Sequence, residues 1–139
     1  MITAVHTNVL LDLFTADRDQ GESSREAIRA CLAEGSLVAC PVVWTEVATF
    51  FRPDPRLGGE ALERLGVRFV PLSPEAAIQS ASCWQEYRSG REGVRRIAAD
   101  FLIGGHAMVH ADRLLTRDGG FFRGYFKGLA VLDPAEQPI

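Results

Sequence analysis

The sequence predicts an α/β fold, a three-layer α/β/α sandwich in which a mainly parallel sheet lies between two layers of helices. Three observations predict it. Five short apolar runs, at 2–5, 37–40, 68–71, 113–116 and 129–132, are each bounded by a turn or helix-start signal and read as buried strands. The stretches between them carry helical periodicity. The connections are too long for hairpins, so the strands run mainly parallel and the intervening helices cover the sheet.

Taken in order, the first run, Ile2–Val5, leads into His6-Thr7-Asn8 and the apolar Val9-Leu10-Leu11. A helix over Glu22–Ala33 gathers Ala27, Ile28, Cys31 and Leu32 on one face and stops at Gly35, where a left-handed cap is expected. Pro41 suits the first position of the next helix, which runs through Val43, Val47 and Phe50 and halts before Pro53. The Gly- and Pro-rich stretch Arg52–Gly59 reads as a surface loop between helices. Ser73-Pro74 is an N-cap followed by proline and opens a long helix toward Tyr87. The last strong helix, about Ile97 to Val109, holds Asp100 near its start and feeds the run at Arg113–Thr116.

With 139 residues and 47% hydrophobic content, the chain is expected to bury its own core as one domain, 1–139. Cys31, Cys40 and Cys83 are odd in number and form no C-x-x-C pattern, which excludes a disulfide framework or zinc finger and fits a reducing cytosol. No run approaches the roughly 18 apolar residues of a membrane span and no basic leader opens the chain, so a soluble cytoplasmic protein is expected. A net charge of −3 argues against general stickiness toward nucleic acid. Between Arg88 and Lys127, however, eight basic residues face four acids. Such a surplus, which includes Arg91, Arg95, Arg96, Arg113, Arg117 and Arg123, either holds phosphates or forms a solvated face.

In open parallel sheets ligands bind beyond the carboxyl ends of the strands. There the chain offers His6-Thr7-Asn8 after its first strand and Arg117-Asp118 after its fourth. Glu46 falls about one and a half turns into the helix after strand two, and Asp100 opens the helix before strand four. Carboxylates sharing a crevice repel by about 4 kcal/mol at ~4 Å and an effective dielectric of ~20, so a positive partner is required. Mg²⁺ or Mn²⁺ supplies it, lowers the pKa of bound water and stabilises charge on a phosphodiester under attack. On residue types alone, the same acids also suit surface positions or helix caps.

The segments themselves carry a more specific signal. Ala4-Val5-His6-Thr7-Asn8-Val9-Leu10-Leu11-Asp12 resembles the opening of PIN domains, where the strand ends in Asp-Thr-Asn-Val, and Val42-Val43-Trp44-Thr45-Glu46-Val47 resembles their second motif. Ala99-Asp100-Phe101-Leu102-Ile103-Gly104-Gly105-His106-Ala107 and Leu114-Leu115-Thr116-Arg117-Asp118-Gly119-Gly120-Phe121 are similar to the third and fourth. Within that family the chain looks most like the VapC toxins. The resemblance implies a Mg²⁺- or Mn²⁺-dependent endoribonuclease, usually a homodimer, silenced by a cognate VapB-type antitoxin through which it reaches operator DNA. It assigns Glu46, Asp100 and Asp118 as metal-ligating or ligand-orienting residues, Asn8 and Thr116 as supporting hydrogen-bond partners, and Arg117 as either an RNA contact or an outward-facing arginine.

Position 6 departs from the pattern: aspartate is expected and His6 stands there. A neutral imidazole brings no charge and suits Zn²⁺ and other nitrogen-accepting ions, whereas Mg²⁺ prefers oxygen. The histidine reads as a disarming change, as a different metal preference, or as the mark of an inactive protein that serves only to grip its antitoxin. His106 and His110 have zinc-like spacing but no third ligand beside them, and read as partly buried or surface histidines. Asp12 reads as solvent-facing, while Trp44, Trp84, Phe50 and Phe51 read as core or dimer contacts. Phe121, Phe122, Tyr125 and Phe126 are expected to close the core at its C-terminal end.

Overall fold

The first strand in the chain is the central strand of the sheet. A computed structural model describes residues 1–90 and 96–136. The strands are β1 (Ile2–Val5), β2 (Ser36–Ala39), β3 (Val67–Phe69), β4 (Arg113–Leu115) and β5 (Ala130–Leu132), ordered β3-β2-β1-β4-β5. All four neighbouring pairs are parallel, β1 matching Ala4 to Val38 on one side and to Leu114 on the other.

The helices are α1 (Thr7–Phe14), α2 (Gly21–Glu34), α3 (Pro41–Ala48), α4 (Arg56–Leu65), α5 (Pro74–Ser89), α6 (Ala98–His110) and α7 (Gly119–Tyr125). The chain steps outward from β1 to β3, then crosses β1 to continue with β4 and β5. Right-handed crossovers made in opposite directions put α1–α4 on one face and α5–α7 on the other. The sandwich read from the sequence is the one observed. Its core joins Val5, Leu37, Val38 and Leu114 of the strands to Leu10, Ile28, Val47, Phe101 and Phe122 of the helices.

Local departures have local causes. The third strand ends at Phe69 rather than Pro71, although the Val70 N–H still bonds to the Ala39 carbonyl at 3.2 Å. Proline has no N–H to carry the ladder further. Gly35 does cap α2, but in extended rather than left-handed backbone, with φ 166°. Its glycine answers to space, since a Cβ there would lie 1.9 Å from the Met1 carbonyl oxygen. The left-handed glycine cap is instead Gly66, φ 95°, at the end of α4.

Residues 56–59, expected in the surface loop, instead form the first turn of α4. Asp54 starts it by accepting the Arg56 N–H at 3.0 Å, and Gly58 permits contact with α3, where a Cβ would sit 2.7 Å from Ala48 Cα. Helix α3 stops at Ala48, short of Phe50, whose ring is 58% exposed and outside the core. Trp44 packs edge-on against Phe69, and Trp84 stacks on Phe101. Phe121, Phe122 and Phe126 are buried together as expected. Among the described residues, no helix is long and apolar enough to cross a membrane.

Candidate functional site

The sheet's topological switch lies between β1 and β4, and a crevice is expected beyond their carboxyl ends. His6 leaves β1 with its N–H on the Leu115 carbonyl at 2.9 Å, placing it beside Thr116 across the ladder. Helix α1 starts at Thr7, α3 brings Glu46 from the β2 side, and α6 brings Asp100 from the opposite face. Asp118 follows β4 and precedes α7.

Thr116 Oγ1 organises the floor. It accepts the Asp118 N–H at 3.0 Å and, more weakly, the Asn8 side-chain amide at 3.4 Å, and it lies 2.8 Å from His6 Nδ1. With its lone pairs engaged, the hydroxyl donates its one proton to Nδ1. Nε2 therefore carries the imidazole proton and faces Asp100 Oδ1 at 3.8 Å. Burial pushes the His6 pKa down to about 4, against the pull of Asp118 and with the repulsion of Arg96 and Arg117, so the ring is neutral at pH 7. The contact with Asp100 is then a dipole against a charge rather than an ion pair.

The acids meet around one arginine. Arg96 Nη1 is 2.6 Å from Asp118 Oδ2 and 3.5 Å from Asp100 Oδ2, and its guanidinium lies 4.2 Å over the Phe121 ring. Burial works against the Arg96 charge, but Asp118 and Asp100 outweigh it and raise its pKa. Asp100 is raised by burial first and then by the charges of Asp118 and Glu46, with Arg96 opposing. Glu46 is held by the Thr7 hydroxyl, which donates to Oε1 at 2.5 Å. Two carboxylates thus share one guanidinium, and the charge of Glu46 adds to that of Asp118 at Asp100.

The sequence-predicted residues His6, Asn8, Glu46, Asp100, Thr116 and Asp118 are brought to one end of the sheet. Arg117 points elsewhere. Its side chain turns inward, Nε 2.5 Å from Asp12 Oδ2 and Nη2 2.6 Å from Asp12 Oδ1, and its backbone N–H bonds to Asn8 Oδ1 at 3.2 Å. Asp12, read as solvent-facing, is only 4% exposed and also accepts the Ser24 hydroxyl at 2.6 Å. The correction has a simple cause: Asn8 and Asp12 lie one turn apart on the inner face of α1, where Arg117 supplies the charge that makes burial tolerable.

The basic surplus is also less available than its count suggests. Arg113 pairs with Glu34 and donates to Thr3, Arg123 pairs with Glu136, and Arg88 lies over Trp84. Arg91 and Arg95 lie outside the described residues. His106, expected at most partly buried, is fully buried, with Nε2 on the Val70 carbonyl at 2.8 Å; His110 Nε2 accepts the Ser73 N–H. These two rings clamp α6 to the loop before α5. Thr7 was not expected to act in the site, and Arg96, expected among basic residues that hold phosphates or form a solvated face, instead faces Asp100 and Asp118, a role for which its place four residues before Asp100 was the available signal.

By chemistry Glu46, Asp100 and Asp118 are the oxygen donors a divalent ion prefers; burial is the first cause of the raised Asp100, and the charges of Asp118 and Glu46 add to it. His6 does not fit Mg²⁺, because its ring presents N–H toward the acids. Among the described residues no three His, Cys, Asp or Glu side chains stand close enough together to hold a metal.

A family model for the PIN domain matches residues 4–127. The VapBC2 complex of Rickettsia felis, solved with promoter DNA, contains a chain with 16% identity and a TM-score of 0.73, the match covering 96% of this chain and 98% of that one. A FitAcB structure from Neisseria gonorrhoeae gives 22% identity, TM-score 0.73, and 99% and 100% coverage. The VapC20 toxin of Mycobacterium tuberculosis, described as cleaving the sarcin–ricin loop, gives 16%, 0.60, and 88% and 94%. At such identities the likeness establishes the fold. No curated protein is significantly similar in sequence.

Proposed function

The chain belongs to the PIN domain family, and from that premise we propose that it is the toxin of a type II toxin–antitoxin pair, a divalent-metal-dependent endoribonuclease. The observation that carries this reading is that Asp100 of α6 and Asp118 at the β4 end meet on Arg96 at the switch point, with Glu46 of α3 near enough for its charge to act on Asp100. Acids gathered from separate parts of the chain at a strand-end switch point, with a perturbed member among them, mark a functional site more often than a structural one.

In this reading Asp100 and Asp118 hold the ion and Glu46, fixed by Thr7, orients toward it. Bound there, Mg²⁺ or Mn²⁺ lowers the pKa of a water and neutralises charge on the phosphodiester. Asn8 and Thr116 keep the Thr116–Asp118 turn in register with α1, so that the Asp118 carboxylate stays at the crevice. RNA contact falls to groups other than Arg117, whose guanidinium is committed to Asp12. The partners proposed with this reading are RNA as substrate, a VapB-type antitoxin, a second copy of the chain in a homodimer, and operator DNA reached through the antitoxin. A shallow groove of about 540 Å³ between α1 and α4, lined by Phe14, Phe51, Leu57 and Leu65, is apolar enough to receive a protein segment.

A second reading is favoured by His6. With a neutral N–H in place of a carboxylate, the pocket loses one acid ligand, and the chain serves as a non-catalytic module that binds antitoxin. One experiment separates the two: incubation of the purified protein with Mn²⁺ and a panel of structured and single-stranded RNAs. Cleavage abolished by Asp100→Asn supports the nuclease; intact RNA throughout supports the binding module.

A further inference from the structure

We infer that Arg96 is a built-in counter-cation of the acidic pocket, occupying the place between Asp100 and Asp118 that a divalent ion must take, so that metal loading requires its displacement. The inference rests on the metal-dependent reading above and adds to it a competitor carried by the chain itself.

The geometry is that of an occupied site. One nitrogen, Nη1, reaches Asp118 at 2.6 Å and Asp100 at 3.5 Å, bridging two carboxylates that come from opposite sides of β4. The flat face of the guanidinium rests on Phe121, a buried ring, at 4.2 Å, which leaves its N–H edge aimed at the acids. Among the described residues the other groups around it add no positive charge: His6 presents a neutral ring, Glu46 is a third acid, and Arg117 is turned away onto Asp12. Arg96 is therefore the cation that makes the cluster tolerable without metal. A dication and this guanidinium cannot both sit against the same two oxygens, because the like charges would repel strongly at contact distance.

Charge count predicts the direction. Removing Arg96 takes from Asp100 and Asp118 the counter-charge they share among the described residues, and the pocket should then draw a divalent ion more strongly. Replacing it with lysine keeps the charge but loses the flat guanidinium whose face stacks on Phe121 and so holds its N–H edge against the acids.

The test uses the purified full chain without RNA, with Mn²⁺ as probe and its electron spin resonance signal as the readout of binding. Arg96→Met is expected to tighten Mn²⁺ binding about tenfold or more, with Arg96→Lys between it and the parent. Circular dichroism on both variants checks folding; Arg96 lies near the start of α6 and a third of its side chain is exposed, so both are expected to fold. Equal or weaker affinity in folded Arg96→Met overturns the inference while leaving the nuclease reading intact. Absence of Mn²⁺ binding in every form overturns both. A metal-free measurement keeps the two apart: the Arg96 Nε–Hε nitrogen resonance should move on Asp118→Asn, and an unmoved resonance shows that the pair does not hold Arg96 at all.

Discussion

Arg117 and Asp12 form a two-point ion pair across the inner face of α1, Nε to Oδ2 at 2.5 Å and Nη2 to Oδ1 at 2.6 Å. Asp12 is the buried member and Arg117 still reaches water along one edge. Arg117→Leu leaves a carboxylate stranded inside the domain, and should cost about 3 kcal/mol or more. Asp12→Leu leaves an arginine that can swing outward and should cost less. The double variant should be more stable than Arg117→Leu alone, as urea midpoints of the four proteins would reveal; strictly additive losses would mean that the pair is not coupled.

His6 makes stability depend on pH. Its folded pKa, about 4, lies below the ordinary 6.5, so the unfolded chain binds the proton more readily and stability falls as pH drops through that window. The contribution amounts to about 3 kcal/mol, fully lost below pH ~4. Asp100 acts with the opposite sign, since its raised pKa favours the folded state in acid and that gain disappears as pH rises through it. Comparing thermal midpoints at pH 7 and 4.5 for the parent and His6→Asn isolates the histidine: the acid-induced drop should be smaller in the variant.

Restoring an acid at position 6 should change which metal the pocket prefers. His6→Asp replaces an N–H facing Asp100 with an oxygen donor, and Mg²⁺ binding followed by calorimetry should strengthen by about tenfold or more. RNA cleavage with Mg²⁺ should rise in parallel. An unchanged Mg²⁺ affinity would remove position 6 from the ligand set.

The crossing of α5 and α6 has no room for a methyl group. A Cβ on Gly105 would fall 1.9 Å from Ser80 Oγ and 2.7 Å from the Ala76 carbonyl, while one on Gly104 would meet the Phe126 ring at 2.4 Å. Gly105→Ala should destabilise by about 1–3 kcal/mol, the usual penalty of overpacking, despite alanine's better helix propensity. Gly120→Ala is the control, because nothing lies within 4 Å of a Cβ there, and its urea midpoint should be unmoved or slightly raised.

What could be read from the letters follows from how locally each feature is encoded. Strands β1 and β4 are short apolar runs with polar ends, and Ser73-Pro74 starts α5 where a cap and a proline predict; the Ser73 hydroxyl indeed accepts the Ala76 N–H at 3.1 Å. Helix α4 was hidden because Gly58 and Gly59 weaken its propensity, and the contact with Ala48 that requires the first of them is tertiary. The inward turn of Asp12 was hidden for the same reason: its partner lies 105 residues away. Thr7 and Arg96 belong to the pocket through side-chain geometry that spacing alone does not fix.

Because the central strand is made first and its outer neighbour nearly last, the hollow has no existence on a partly synthesised chain. His6 waits for Thr116, 110 residues later, before its ring is oriented, and Asp118 arrives later still. A ribosome that stalls before that point releases a polypeptide lacking one wall of the crevice. Whatever chemistry the folded domain performs, its onset is tied to the synthesis of β4 and the Asp118 that follows it rather than to the appearance of the first motif.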